Sequence, residues 1–304
     1  MQQRILTPIP VFYDNKLTIN INLILKHTIK LTNLGLGIII GGEISEYKSL
    51  TIDELLDTYF SLKKRVADNL SKELYLLLSA TIHLPYIDYI AKKLSVHNDR
   101  DTINLIIEVN GYEDPLINAR ALGAMVNGLL ARMGSEKISK LVIFLRRINK
   151  EMVGFLNGIL KSFQEINGIM LDVDINPLET LVYLLNNIRD LGLSQTIYLY
   201  GDNIIFSHQL LKTVKAIAIP LSNITPQLFI DLIKESYSNK IDDVILLNKI
   251  YYYAHSKPGA IKRTLYILNK EYTYFVRPPL INEIHLDQII ISILNKLSLI
   301  GDQK

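Results

Sequence analysis

Short apolar runs recur along the chain, separated by longer stretches in which apolar positions return every three or four residues. The runs Ile5–Phe12, Gly37–Gly41, Leu74–Ala80, Ile103–Val109, Leu141–Leu145, Gly168–Leu171, Thr196–Tyr200 and Ala216–Ile219 read as strands. Most are apolar throughout instead of alternating, which marks strands buried on both faces. The stretches between them read as helices. Thr51–Asn69 opens on Thr51-Ile52-Asp53-Glu54, a capping-box pattern, and Asn176–Leu191 carries the same three-to-four spacing. Strands alternating with helices in this way predict an α/β fold, a (β/α)8 TIM barrel over residues 1–224. Thr225–Lys304 reads as helical, broken around Lys257-Pro258-Gly259 and Arg277-Pro278-Pro279, and is expected to pack on the barrel as a C-terminal extension.

Composition narrows the picture. With 49% hydrophobic residues in 304, there is ample material for one large core. The 33 Lys and Arg against 30 Asp and Glu give a net charge of +3 without any long basic run, so no nucleic-acid partner is expected. Cysteine is absent, which excludes a disulfide framework and thiolate chemistry and fits a cytoplasmic protein. It also fits selection for heat, although the Asn-rich stretches run against a thermophile-like reading. The N-terminus runs straight into a strand pattern without a signal-peptide apolar region, and no run of about 18 uncharged apolar residues predicts a membrane span. Gly35, Gly37, Gly41 and Gly42 faintly resemble a dinucleotide loop, but Gly35 and Gly37 precede their strand instead of opening a helix.

Several segments occur in the order expected of one enzyme family. Thr7-Pro8-Ile9-Pro10-Val11-Phe12 precedes Gly42-Glu43-Ile44-Ser45-Glu46 and Ser49-Leu50-Thr51-x-x-Glu54. Further on come Gly168-Ile169-Met170-Leu171-Asp172, Gly201-Asp202 and Ser222-Asn223-x-x-Pro226. Lys257-Pro258-Gly259-Ala260-Ile261-Lys262 and Val276-Arg277-Pro278-Pro279-Leu280 close the series. Over essentially its whole length the chain thus resembles the dihydrodipicolinate synthase / N-acetylneuraminate lyase family. It looks nearest to the archaeal 2-keto-3-deoxygluconate aldolases within it.

The resemblance implies carbon–carbon bond chemistry beside a 2-keto acid, run through a Schiff base on a lysine at the end of strand six. Met170 stands at that position, and a thioether forms no imine. Where the family carries a proton-relaying tyrosine on strand five, the matching run Phe144-Leu145-Arg146-Arg147-Ile148 places Leu145, with Ile148 in place of a proline. The threonines that hold the substrate carboxylate become Glu43 and Ile44, and a glutamate there repels a carboxylate; Glu46 alone survives from that motif. No catalytic residues are therefore expected, Met170 and Leu145 being the degenerate positions.

Strand ends nevertheless bring charge to the mouth where sites of this fold lie: Glu43, Glu108, Arg146, Arg147, Asp172 and Asp202. Three readings stand side by side. Arg146 or Arg147 grips an anionic small molecule. Glu43, Glu108 and Asp172 gather a hard cation. Or Glu43 and Arg146 pair and plug a disused pocket. His27, His83, His97, His208, His255 and His285 show no ligand spacing, and no metal or cofactor is expected. Tyr251-Tyr252-Tyr253, with Tyr266, Tyr272 and Tyr274, reads as helix packing or a subunit contact. Lys48, Lys150 and Lys262 are the lysines that a displaced nucleophile would draw on, Lys262 matching a scaffold position, while Lys150 and Lys161 do not lie on strand six.

Three functions follow from these readings. The first is a non-catalytic pseudoenzyme, a binding or structural subunit that forms a homo-oligomer (dimer or tetramer), alone or with an active paralogue. The second is a lyase with a relocated lysine. The third is a repurposed barrel that binds an anion or a metal.

Overall fold

The computed structural model describes residues 4–66, 73–96, 102–109, 115–147, 156, 158–190, 196–203, 214–234 and 240–300. Eight strands follow one another in chain order around a closed barrel: β1 (Arg4–Pro8), β2 (Gly37–Gly41), β3 (Leu74–Ser79), β4 (Ile103–Val109), β5 (Ile138–Leu145), β6 (Ile166–Asp172), β7 (Thr196–Tyr200) and β8 (Ala216–Ala218). Helices separate them: α1 (Ile21–Asn33), α2 (Ile52–Arg65), α3 (Ile87–Val96), α4 (Pro115–Met133) and α5 (Leu178–Asp190). After β8 come α6 (Pro226–Lys234), α7 (Ile241–Tyr252), α8 (Lys257–Leu268) and α9 (Asp287–Lys296). The fold is the (β/α)8 barrel with C-terminal helices that the pattern predicts.

The chain divides into two compact units, one of Met1–Arg4 with Lys72–Ala218, the other of Ile5–Ser71 with Ile219–Lys304. In the first unit, β3 to β8 pair in parallel, and β3 and β4 are buried at every position. That continuous burial is why Leu-Tyr-Leu-Leu-Leu-Ser and Ile-Asn-Leu-Ile-Ile-Glu-Val lack alternation. β5 and β6 begin earlier than the apolar pattern indicates, because their first turns carry polar residues. Lys140 of β5 donates to Tyr75 Oη at 2.9 Å. Asn167 of β6 sits in a register shift, where its Oδ1 accepts from Leu141 N at 2.6 Å in place of a ladder carbonyl. Gly168 is closely covered: a Cβ there would lie 2.6 Å from Tyr198 Cε2 and 3.1 Å from Val142 Cγ2.

In the second unit β1 pairs with β2, and Ile9 N still donates to Ile39 O at 3.0 Å just past the strand. The strand stops at Pro8, short of the expected Phe12, because Pro10 has no N–H to continue the ladder. The Thr51 hydroxyl accepts from Glu54 N at 3.2 Å and Glu54 Oε2 accepts from Thr51 N at 2.9 Å, so the capping box starts α2 as the motif requires. Lys257-Pro258-Gly259 opens α8 where a break was expected. Ser256 caps it by accepting from Gly259 N at 3.2 Å, and proline in the first turn lacks only an N–H that no intrahelical partner would have taken.

Candidate functional site: ionic clusters at the strand ends and under the C-terminal helices

In a parallel sheet, residues in register stand on the same face. Glu108, Phe144, Met170 and Tyr198 form one such row across β4 to β7. Two residues further on, Asp172 lies in register with Tyr200. Of these, Glu108, Phe144, Asp172 and Tyr200, with Arg146 just beyond β5, gather at the C-terminal ends of the strands, the end at which barrels of this kind place their sites.

Arg146 is its centre. Its Nε donates to Asp172 Oδ2 at 3.1 Å, and its Nη1 stands 3.5 Å from Glu108 Oε1. The arginine side chain is 12% exposed and its two acids 0% and 1%. Its guanidinium also lies 5.9 Å from the Phe144 ring centre and 6.0 Å from that of Tyr200, rings that are themselves 4.8 Å apart. Asp172 is braced in turn: its Oδ1 accepts from Asp174 N at 2.9 Å, and its backbone carbonyl accepts from Asn176 Nδ2 at 2.7 Å. The same Nδ2 reaches Arg146 O at 2.7 Å, and Asp174 Oδ1 accepts from Asn203 N at 2.9 Å. Asp202, after β7, is buried, and Arg147 is exposed. Met170 is fully buried.

Leu145 belongs to a different row. It is in register with Val109 and Leu171, on the face opposite Met170. At its C-terminal end β5 therefore presents Phe144 on Met170's side, followed by Arg146 just beyond the strand, and sequence matching at single-residue precision missed this because one step along a strand reverses the face. Glu43 and Ile44 lie in the second unit, on the turn after β2, Glu43 half-buried and Ile44 fully buried. Lys48 and Lys161 are exposed, while Ile148, Lys150, His97 and His208 lie outside the described residues.

The second unit has its own buried ionic cluster. Lys262 pairs with Glu46, both fully buried, and Lys262 Nζ also donates to Phe275 O at 2.8 Å. Arg277 N donates to Glu46 Oε2 at 3.1 Å. The Arg277 guanidinium grips Glu54 with two bonds of 2.8 and 2.7 Å and reaches Leu17 O at 2.8 and 3.0 Å. Between the two cations lies the Tyr13 ring, 4.3 Å from Lys262 Nζ and 4.7 Å from the Arg277 guanidinium. Burial drives the Lys262 ammonium down to about 8 and raises Glu46, each opposed by the other's charge. Arg277 holds the Glu54 carboxyl below its ordinary range. Burial also raises the Tyr13 phenol.

Each unit also buries a neutral histidine. His27 in the second unit bonds through Nε2 to Asn223 Oδ1 at 2.8 Å and through Nδ1 to Tyr272 Oη at 3.0 Å, and burial lowers it to about 4. His83 in the first accepts at Nδ1 from Ser79 N at 2.8 Å, and burial lowers it likewise to about 4.

No family model and no curated protein sequence matches the chain. Solved structures do. A prophage protein of the dihydrodipicolinic acid synthase family from E. coli K12, in complex with pyruvate, superposes with a TM-score of 0.76 at 13% identity, covering 98% of this chain and 99% of that one. Dihydrodipicolinate synthase from Bacillus clausii gives 0.76 at 13%, covering 98% of both chains. The Ruminococcus gnavus sialic acid aldolase gives 0.72 at 15%, covering 98% and 97%. At such identities the likeness is one of fold, and from end to end the chain has the fold of these barrels.

Proposed function

We propose that this chain is a non-catalytic member of the dihydrodipicolinate synthase / N-acetylneuraminate lyase family, a pseudoenzyme that serves as a binding or structural subunit of a homo-oligomer. The observation that carries the reading is Arg146 held between Asp172 and Glu108 on the face that Met170 shares. Schiff-base chemistry needs a lysine whose amine is partly neutral in a space that admits the keto acid. Met170 supplies no amine. Arg146 meets two buried acids there, so a keto-acid carboxylate entering the cluster has to displace an acid from the guanidinium or lie against it. Either route costs energy that no covalent bond repays. A buried ion cluster at the strand ends fits a subunit kept for its fold and its contacts.

Borohydride trapping tests this directly. The chain is incubated with pyruvate, and separately with 2-keto-3-deoxygluconate, reduced, and weighed by intact mass spectrometry beside a lysine-bearing aldolase. The expected mass is unchanged. A stoichiometric adduct on one lysine overturns the reading in favour of a lyase with a relocated nucleophile. Light scattering on the same sample is expected to give a mass above that of one chain.

A further inference from the structure

The structure assigns a transition-metal site to His255, Glu283 and His285 of the second unit. The two histidines lie on separate segments, one at the corner between α7 and α8, the other in the 3-10 turn Ile284–Leu286 that leads into α9. Among the described residues this is the one place where three groups able to ligate a metal converge, with one donor atom from each within 4.8 Å of the others.

The distances between donors suit a bound metal. His255 Nδ1 stands 3.2 Å and His285 Nε2 3.6 Å from the same oxygen, Glu283 Oε2. Donors bound to Zn²⁺ at about 2.0–2.1 Å in a tetrahedron are about 3.4 Å apart, so both carboxylate–imidazole edges already have the required length. The imidazole rings, centred 4.8 Å apart and inclined by 70°, lie edge to face and need only a small closing movement.

The carboxylate is positioned in advance. Glu283 is fully buried although its histidines are 59% and 45% exposed, so the acid forms the floor of the site and the imidazoles its solvent-facing rim. Its other oxygen, Oε1, accepts from Ser256 N at 2.8 Å and lies 3.4 Å from the Ser256 hydroxyl, which leaves Oε2 turned toward the rings. That is the outer-shell arrangement that fixes a ligating carboxylate. Gly259 makes the room: a Cβ there would lie 2.8 Å from Glu283 Cγ. His285 Nε2 lies 3.1 Å from Tyr253 O, so metal binding shifts its proton to Nδ1 and frees Nε2 to ligate.

Two imidazoles and one carboxylate suit a divalent first-row metal, above all Zn²⁺, and leave the fourth position to water. The bound ion ties the α7–α8 corner to the turn before α9.

The test is calorimetric titration of the full chain, stripped with chelator, with Zn²⁺ alone, alongside Co²⁺ followed by visible absorption. One equivalent per chain is expected, with the intense absorption of tetrahedral Co²⁺. His255→Ala and His285→Ala, at exposed side chains, are each expected to weaken binding about 10- to 100-fold, and the double variant to abolish it, without a change in far-UV circular dichroism. Failure of the wild-type chain to bind Zn²⁺ more tightly than about 100 µM overturns the assignment. So does stoichiometric binding that survives in the double variant.

Discussion

Two buried ionic clusters, one in each unit, are built from different parts of the sequence. The cluster of the second unit is assembled almost entirely from segments that match family landmarks. Glu46 closes the motif after β2, Glu54 caps α2, Lys262 ends the Lys-Pro-Gly segment, and Arg277 opens Arg-Pro-Pro-Leu. Four positions scattered over more than two hundred residues turn out to be one wired structure. The cluster of the first unit is built at the strand ends, where Phe144, Arg146 and Asp172 surround the side of the strands on which Met170 stands. Each of the four holds another in place through a hydrogen bond or ion pair.

If that contrast is right, the two clusters respond differently to mutation. The largest effect is expected from Lys262→Met, which strands Glu46 without its cation in a fully buried place. The cost is about 3–5 kcal/mol, measured by urea denaturation. A loss under about 1 kcal/mol would remove the second cluster's claim to hold the scaffold.

Acid comes next, and it probes both units. His27 and His83 are bound neutral, with native values near 4 against about 6.5 in the unfolded chain. A base with a depressed native pKa contributes stability that is complete above pH 6.5 and lost as the pH falls toward 4, because the unfolded chain then binds the extra proton. Each accounts for about 3 kcal/mol at pH 4. Denaturation midpoints recorded from pH 7 to pH 4 are expected to fall steeply, and in His27→Gln and His83→Gln the fall is about half as large. A flat profile in the wild-type chain would contradict the buried neutral imidazoles.

Arg277→Lys keeps the charge but loses the two-pronged grip on Glu54, at an expected cost of about 1–3 kcal/mol. The smallest effect belongs to the first unit. Arg146→Met combined with Glu108→Gln and Asp172→Asn removes every charge of that cluster at nearly constant volume, and stability is expected to stay within about 1 kcal/mol of the wild type. A loss comparable to that of Lys262→Met would make the two clusters alike and end the comparison.

The barrel was legible because strands buried on both faces leave unbroken apolar runs, and Ile103–Val109 and Thr196–Tyr200 were bounded correctly from that signal alone. The same signal failed where strands start in polar residues, at Ser139 and Lys140 of β5 and at Asn167 of β6, since apolar content marks burial and not backbone pairing. Arg146, Glu108 and Asp172 were recognisable as strand-end charges. Their union was not, because it depends on which face each residue takes, and for Leu145 a single step was decisive. His255 and His285 looked scattered because sequence distance carries no information about two segments that a buried glutamate brings together.

The close cover over Gly168 has an evolutionary consequence. A Cβ at 168 would stand 2.6 Å from Tyr198 Cε2 and 3.1 Å from Val142 Cγ2, so any larger residue there requires the ring to shift. Replacement of Tyr198 by a smaller side chain relieves that constraint, so Gly168→Ala is better tolerated after it than before. Among descendants of this chain, alanine at 168 is expected more often beside a small residue at 198, so one interatomic distance biases the order of two mutations.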